Sequence, residues 1–234
     1  MNCTSFTFAD IFSGIGGVRL GFEGAGGTCV FSSETDPAAR RTYEENFGDT
    51  PWGDIRTADL KTLPDFDILL ADFPYALSAV LGEDGLLQAV ERILEVKRPE
   101  AFFLENGKNL LSHGKGKTFE ALKGRLSAMG YSQVLNAWDY GVPQKRERLV
   151  TVGFAEPILF AFPERFPAEK RKTLADILEP EDQVKKSYYV SLKIRERKMK
   201  KMMERCGKEP ERPYITNENV SGMVTPHRYA CSLR

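Results

Sequence analysis

Short apolar runs of strand length alternate with helix-period stretches along the first two thirds of the chain. FTFADIF leads into a glycine-rich turn, and GTCVFSSE precedes a helical pattern from Pro37 to Asn46. DFDILLADF precedes a helix around Leu86 to Val96, AFFLEN precedes a helix from Thr118 to Met129, and YSQVLNAW follows. A last run, RERLVTVGF, is entered from the turn DYGVPQKRE. Short runs rich in β-branched and aromatic residues and bounded by turn residues read as strands, whereas apolar positions three and four apart read as helices. Their alternation predicts an α/β fold with a mostly parallel sheet, helices on both faces and right-handed crossovers.

This pattern ends near residue 160. Residues 161–186 are rich in Pro and charge, with one short helical piece, TLADILE, and read as a linker or crossing segment. Net charge is zero over the 234 residues, but it is unevenly distributed. Residues 1–184 hold 20 Lys and Arg against 28 Asp and Glu, while residues 185–208 hold 10 against 2. The basic stretch KKSYYVSLKIRERKMKKMMERCGK can track a phosphate backbone, because sequence-independent nucleic-acid affinity comes mostly from such charges. A solvated helix face explains the same charges. Met199, Met202 and Met203 within it are expected to face the core or a further part of the same domain.

The hydrophobic share of 41% and charged share of 28% are those of an ordinary globular domain. No apolar run approaches the roughly 20 residues that span a bilayer, and the start lacks a secretory pattern, so a cytoplasmic protein is expected, with no membrane partner. Cys3, Cys29, Cys206 and Cys231 lack metal-type spacing, which argues against a metal site and a disulfide framework. Cys29 reads as a small core residue, and His113 and His227 as isolated loop or surface residues.

The turn DIFSGIGGVRLGFE places Gly14, Gly16 and Gly17 directly after the first strand. Glycines there allow a tight turn and close approach of a ligand, and the helix that follows favours an anionic group. A plain strand-to-helix turn has the same composition. Glu34 then ends the next strand, about 20 residues on, where a carboxylate accepts the two hydroxyls of a ribose. Asp54 in WGDI is placed to accept an adenine amine. The three features in this order point to an adenosine-containing ligand.

Six ordered blocks between Phe6 and Phe154 resemble the cytosine-5 DNA methyltransferase family. They are DIFSGIGGVRLGFE, SETDPAARRTYEENF, GDI, DILLADFP, LENGKNL and YGVPQKRERLVTVGF. The resemblance implies a Rossmann-like sheet, S-adenosylmethionine as cofactor, double-stranded DNA as partner, and a setting in bacterial restriction-modification. It divides the chain into a cofactor domain over 1–160, the linker over 161–186 and an incomplete target-recognition region over 187–234. It further implies that a last segment, returning a helix to the cofactor domain, is missing and could come from a second chain. Phe12, Ile55 and Pro74 would join Gly14, Gly16, Gly17, Glu34 and Asp54 around the cofactor, although Phe12 and Pro74 also suit a plain core.

In the family's mechanism a Cys thiolate adds to carbon 6 of a cytosine that has left the stack. Tyr75 stands where that Cys belongs, after Pro74, and a phenol titrates near 10. Asp72 replaces the usual Gly, Gly107 the usual Val, and the connection ALSAVLGEDG is shorter than the family's closing loop. Glu105 matches the residue that bonds the base's ring nitrogen 3 and amine, with Asn106 orienting its loop. Arg146 and Arg148 match the pair that holds the base carbonyl and a phosphate. Pairing of Glu105 with a nearby Arg, and surface salt bridges for the two arginines, are the plainer alternatives. The expectation is a cytosine-5 DNA methyltransferase by lineage that is inactive as it stands because Tyr75 replaces the Cys; the alternatives are a non-catalytic cofactor- or DNA-binding protein, or the large subunit of a split methyltransferase.

Overall fold

The computed structural model describes residues 5–73, 85–126, 131–173 and 176–183, together with Arg197 and Lys200. Tyr75, Pro74, Ser78, His227, the methionine cluster and all of the basic stretch except Arg197 and Lys200 lie outside these residues.

Six strands, β1 (Phe6–Ile11), β2 (Gly27–Ser33), β3 (Ile68–Asp72), β4 (Ala101–Gly107), β5 (Tyr131–Asn136) and β6 (Glu147–Phe154), form one sheet in the order β2-β1-β3-β4-β6-β5. β1 pairs parallel with β2 and β3, and β3 with β4; β6 runs antiparallel to β4. Among the described residues four named α-helices accompany the strands: α1 (Gly17–Gly24), α2 (Pro37–Phe47), α3 (Leu86–Lys97) and α4 (Lys117–Arg125). The expected α/β architecture is therefore present, with α4 shorter than the Thr118–Met129 pattern suggested.

Local signals account for the elements. Asp36 caps α2, its Oδ1 accepting the N–H groups of Ala38 and Ala39 at 2.8 Å, and Pro37 opens the helix where its missing donor costs nothing. β3 reads ILLAD because a central parallel strand is covered on both faces.

Alternation along the strands then sorts the core. Ala9 and Ile11 of β1, Leu69 and Ala71 of β3 and Leu104 of β4 join Leu87, Val90 and Ile93 of α3 and Leu122 of α4 in one buried cluster. The opposite face carries Phe8 and Phe103, whose rings lie 5.8 and 5.5 Å from the Phe22 ring of α1. Helices thus cover both faces. Each large apolar side chain so buried contributes roughly 1.5–3 kcal/mol.

Contacts divide the chain into two compact units, Met1–Val134 with Arg148–Phe162, and Leu135–Glu147 with Pro163–Arg234. In the second, Asn136 Oδ1 accepts the N–H of Trp138 at 3.3 Å and of Arg146 at 3.1 Å, and Ala137 N–H donates to the Arg146 carbonyl. Those bonds close the 137–146 turn. The buried Asp139 carboxylate draws in Arg171 at 3.1 Å and Arg165 at 3.5 Å, and Arg171 and Lys145 both lie over the Trp138 ring.

Of the TLADILE piece, Asp176 accepts from both N–H and hydroxyl of Thr173, while 174–175 lie outside the described residues. No helix among the described residues is long and apolar enough to cross a membrane.

Candidate functional site

The carboxyl ends of β1, β2, β3 and β4 lie side by side, which is where open α/β sheets hold ligands. β1 ends in a strained turn. Phe12 has φ 57°, a left-handed conformation that costs a non-glycine residue about 1 kcal/mol or more, and its ring stacks 5.5 Å from that of Phe73. Gly14 follows at φ 56° and Gly16, the cap of α1, at φ 91°. A Cβ on Gly16 would collide with the Phe47 ring, so packing demands this glycine as well as backbone geometry. A Cβ on Gly14 would meet no atom within 4 Å, so the turn is open above it.

Glu34 closes the turn from the side. Its Oε2 accepts the Gly14 N–H at 2.9 Å and its Oε1 the Asp36 N–H at 2.8 Å, so the end of β2 and the glycine turn share one carboxylate. Asp54 stands one segment further on, because Trp52 pairs with β2 through bonds to Ser32 and Glu34. Its carboxylate is already engaged: Oδ1 accepts the Arg56 N–H at 3.0 Å, and the Arg56 guanidinium reaches Oδ2 at 2.6 Å. Hydrogen bonding from Arg56 holds this carboxyl below the usual range. Ile55 is buried in the core cluster.

The β3–β4 register sets Asp72 opposite Glu105, and Phe73 N–H donates to the Glu105 carbonyl at 3.0 Å. Phe73, the last described residue before Pro74, therefore lies directly beside Glu105. Arg148 of β6 meets Glu105 at 3.0 Å, Nε to Oε1, with both side chains largely buried. This is the pairing that the plainer reading of Glu105 described, and it also leaves the two groups side by side at the strand ends. Arg146 belongs to the second unit, in the turn closed by Asn136. Asn106 is buried next to Glu105.

Two residues escaped the sequence reading. Asp10 of β1 is 1% exposed and its Oδ2 has no hydrogen-bond partner; Ser13 Oγ, in the turn, is likewise buried without one. Burial pushes the Asp10 carboxyl up to about 7, opposed by Arg19 and reinforced by Asp72, Glu34 and Glu23. The signals available were a lone acid inside the apolar run FTFADIF and its place as the first residue of the block DIFSGIGGVRLGFE. Arg19, the second residue, ties α1 to α2: its guanidinium bonds Glu23 at 2.7 Å, Asp49 at 2.9 Å and the Tyr43 hydroxyl at 3.0 Å. Cys29, expected in the core, is only half-buried, because β2 is an outer strand of the sheet; its thiol donates to the Phe31 carbonyl. His113 shares a short hydrogen bond with Thr118. Among the described residues no cluster of His, Cys, Asp and Glu could hold a metal ion.

A glycine turn, a strand-end carboxylate and a second acid beyond it, on an open parallel sheet, define the nucleotide-cofactor class of α/β proteins. Solved structures narrow the fold further. It resembles the methyltransferase EhMeth of Entamoeba histolytica and the Dnmt2 methyltransferase of S. pombe, each with a TM-score of 0.64, at 18% and 16% identity. Those matches cover 86% and 87% of this chain and 66% of each of the others, so the chain spans slightly under two thirds of their length. The family model for C-5 cytosine-specific DNA methylases matches residues 6–230. The chain is 43% identical to the Type II methyltransferase M.NgoBI of Neisseria gonorrhoeae and 41% to M.HaeII of Haemophilus aegyptius. Both matches cover 96% of this chain, with 73% and 72% of the relatives.

The chain belongs to the C-5 cytosine-specific DNA methylase family. S-adenosylmethionine is that family's methyl donor. The residues present fit such a group, with open space above Gly14, a carboxylate at the end of β2 and unpartnered polar atoms on Asp10 and Ser13.

Proposed function

We propose that the chain binds S-adenosylmethionine and duplex DNA as a restriction-modification type cytosine-5 methyltransferase does, but transfers no methyl group as it stands. The observation that carries this reading is Tyr75, directly after Pro74, in a family whose nucleophile at that position is a Cys. A thiolate reaches neutrality with modest help, whereas a phenol near 10 stays protonated and its ring fills space that a flipped base needs.

On the cofactor side, Glu34 would take the ribose hydroxyls and Asp54 the adenine amine, exchanging part of its hold on Arg56. Phe12 and Pro74 would pack on the ligand, and Gly14, Gly16 and Gly17 would give the backbone room. Ile55 would floor the adenine pocket from the core. Bound S-adenosylmethionine supplies an electrophilic methyl group. On the base side, Glu105 would bond nitrogen 3 and the exocyclic amine, Arg148 the carbonyl, and Arg146 a backbone phosphate. The ion pair between Arg148 and Glu105 supports this assignment, since it keeps both groups oriented at the strand ends beside Phe73.

Calorimetric titration of the full chain with S-adenosylmethionine, beside Asp54→Ala, tests the cofactor half. Saturable binding that Asp54→Ala weakens at least tenfold is expected, as for loss of one charge-assisted hydrogen bond worth about 1.5–3 kcal/mol. Methyl transfer to DNA from labelled cofactor tests the rest. The chain and Tyr75→Cys are both expected to be silent, because the shortened loop after Tyr75 also departs from the family. Turnover by the unaltered chain, alone or with a second chain added, would refute the proposal.

A further inference from the structure

α2 carries Arg40, Tyr43 and Phe47 on one face, three and four residues apart. Tyr43 is buried, and the Phe47 ring lies against Gly16. Beside Arg40, a cavity of about 770 Å³ opens between α2, the outer strand β2 and the loop over 48–53. Arg19, Phe31, Asp49 and Trp52 line it together with Arg40. Phe12, Gly14, Glu34, Asp54 and Ile55, which the cofactor reading uses, do not.

Three charged residues line the cavity, and they are not equivalent. Arg19 is saturated: it bonds Glu23, Asp49 and the Tyr43 hydroxyl, and its guanidinium lies 4.2 Å from the centre of the Phe47 ring. Its ion pair with Asp49, at 2.9 Å, offsets the one acid of the lining. Arg40 is different. Its Nε donates to the Pro51 carbonyl at 3.2 Å, and among the described residues that is the only bond its side chain makes. The guanidinium is thus pinned at one nitrogen while both terminal amino groups keep their N–H donors. Such a fork matches two oxygens of one anion.

The opposite requirement, for an apolar body, comes from Trp52. Its backbone is fixed to β2 by bonds to Ser32 and Glu34, yet the residue is 51% exposed and has no ring partner among the described residues. A ring held that way offers a free face for stacking. The volume lies within the roughly 300–1,000 Å³ of small-molecule sites, far more than an inorganic anion fills. We propose that this cavity is a second ligand site, for an organic phosphate of mononucleotide size that carries a planar ring. The phosphate sits on the Arg40 fork and the ring against Trp52. The assignment stands independently of the cofactor reading.

Uridine 5′-monophosphate is the probe, because uracil has no exocyclic amine to offer Asp54. Calorimetry of the full chain compares it with uridine, which lacks the anion, and with inorganic phosphate, which lacks the ring. Saturable binding of the nucleotide below about 1 mM is expected, with each fragment at least tenfold weaker. Arg40→Gln should weaken the nucleotide tenfold or more and leave uridine unchanged. Trp52→Leu should weaken the nucleotide several-fold and leave inorganic phosphate unchanged. The chain has two tryptophans, so Trp138→Phe makes Trp52 the sole reporter, and the nucleotide should quench its fluorescence with the same affinity. Saturating S-adenosylmethionine should leave that affinity intact. Any of three results would overturn the assignment: no saturation of the unaltered chain, phosphate alone binding as tightly as the nucleotide, or displacement of the nucleotide by S-adenosylmethionine.

Discussion

Arg148 Nε lies 3.0 Å from Glu105 Oε1, joining β6 to the carboxyl end of β4. Both side chains are largely buried, so water compensates either charge poorly when the ion pair is lost. Arg148→Ala should therefore destabilise the first unit by roughly 1–3 kcal/mol, the cost of breaking a charge-assisted hydrogen bond in a site with little water. The double variant Arg148→Met with Glu105→Gln should recover at least half of that loss. Urea unfolding of the four proteins gives the coupling, and strict additivity would show that the pair is not an energetic unit.

Gly16 is the point where the glycine turn after β1 depends on α2. Its φ of 91° and the Phe47 ring both exclude a side chain. Gly16→Ala should cost about 1–3 kcal/mol. Adding Phe47→Leu relieves only the collision, so the double variant should regain part of that cost relative to Phe47→Leu alone. Thermal unfolding of the set reads this directly.

Asp54 is held by Arg56, which lies where an adenine amine would compete. Removing the competitor with Arg56→Ala should leave S-adenosylmethionine affinity equal or higher, in contrast to the loss expected from Asp54→Ala. A loss as large as that of Asp54→Ala, measured by titration, would mean that Arg56 itself holds the ligand. The pair is half-exposed, so its share of stability is at most about 1 kcal/mol.

Asp10 makes stability fall as pH rises. Between about pH 4 and 7 the folded protein keeps a proton at Asp10 that the unfolded chain has released, because burial lifts the folded value to about 7. The contribution is fully present below the unfolded value and lost as pH passes through the folded one. Its ceiling is roughly 4 kcal/mol across that window. Asp10→Asn lacks the titration, so its stability relative to the unaltered chain should improve steadily from pH 4 to pH 8. Urea midpoints for both proteins across that range check the slope, and parallel profiles would refute it.

The strands, the helices and the glycine turn were legible in the chain because each rests on neighbours within a few residues. Asp36 and Pro37 announce the start of α2, the run ILLAD announces a strand covered on both faces, and Gly14 to Gly17 announce a turn. The ordered motifs likewise pointed to the family that the comparisons show. What local sequence could not carry was the meeting of distant segments. The insertion of β6, antiparallel, beside β4 brings Arg148 onto Glu105 across more than forty residues. The close approach of α2 to the turn makes Gly16 answer to Phe47, and puts the Arg19 guanidinium on Tyr43. Burial is also a property of the assembled sheet. Asp10 reads as one acid in an apolar run, and only the packing of α1 over β1 deprives it of water and of a partner. The sequence by itself determined the elements and the lineage, through short-range propensity and motif order; the tertiary structure alone decided which charges are paired, strained or left waiting, because those depend on long-range contacts and on the exclusion of solvent.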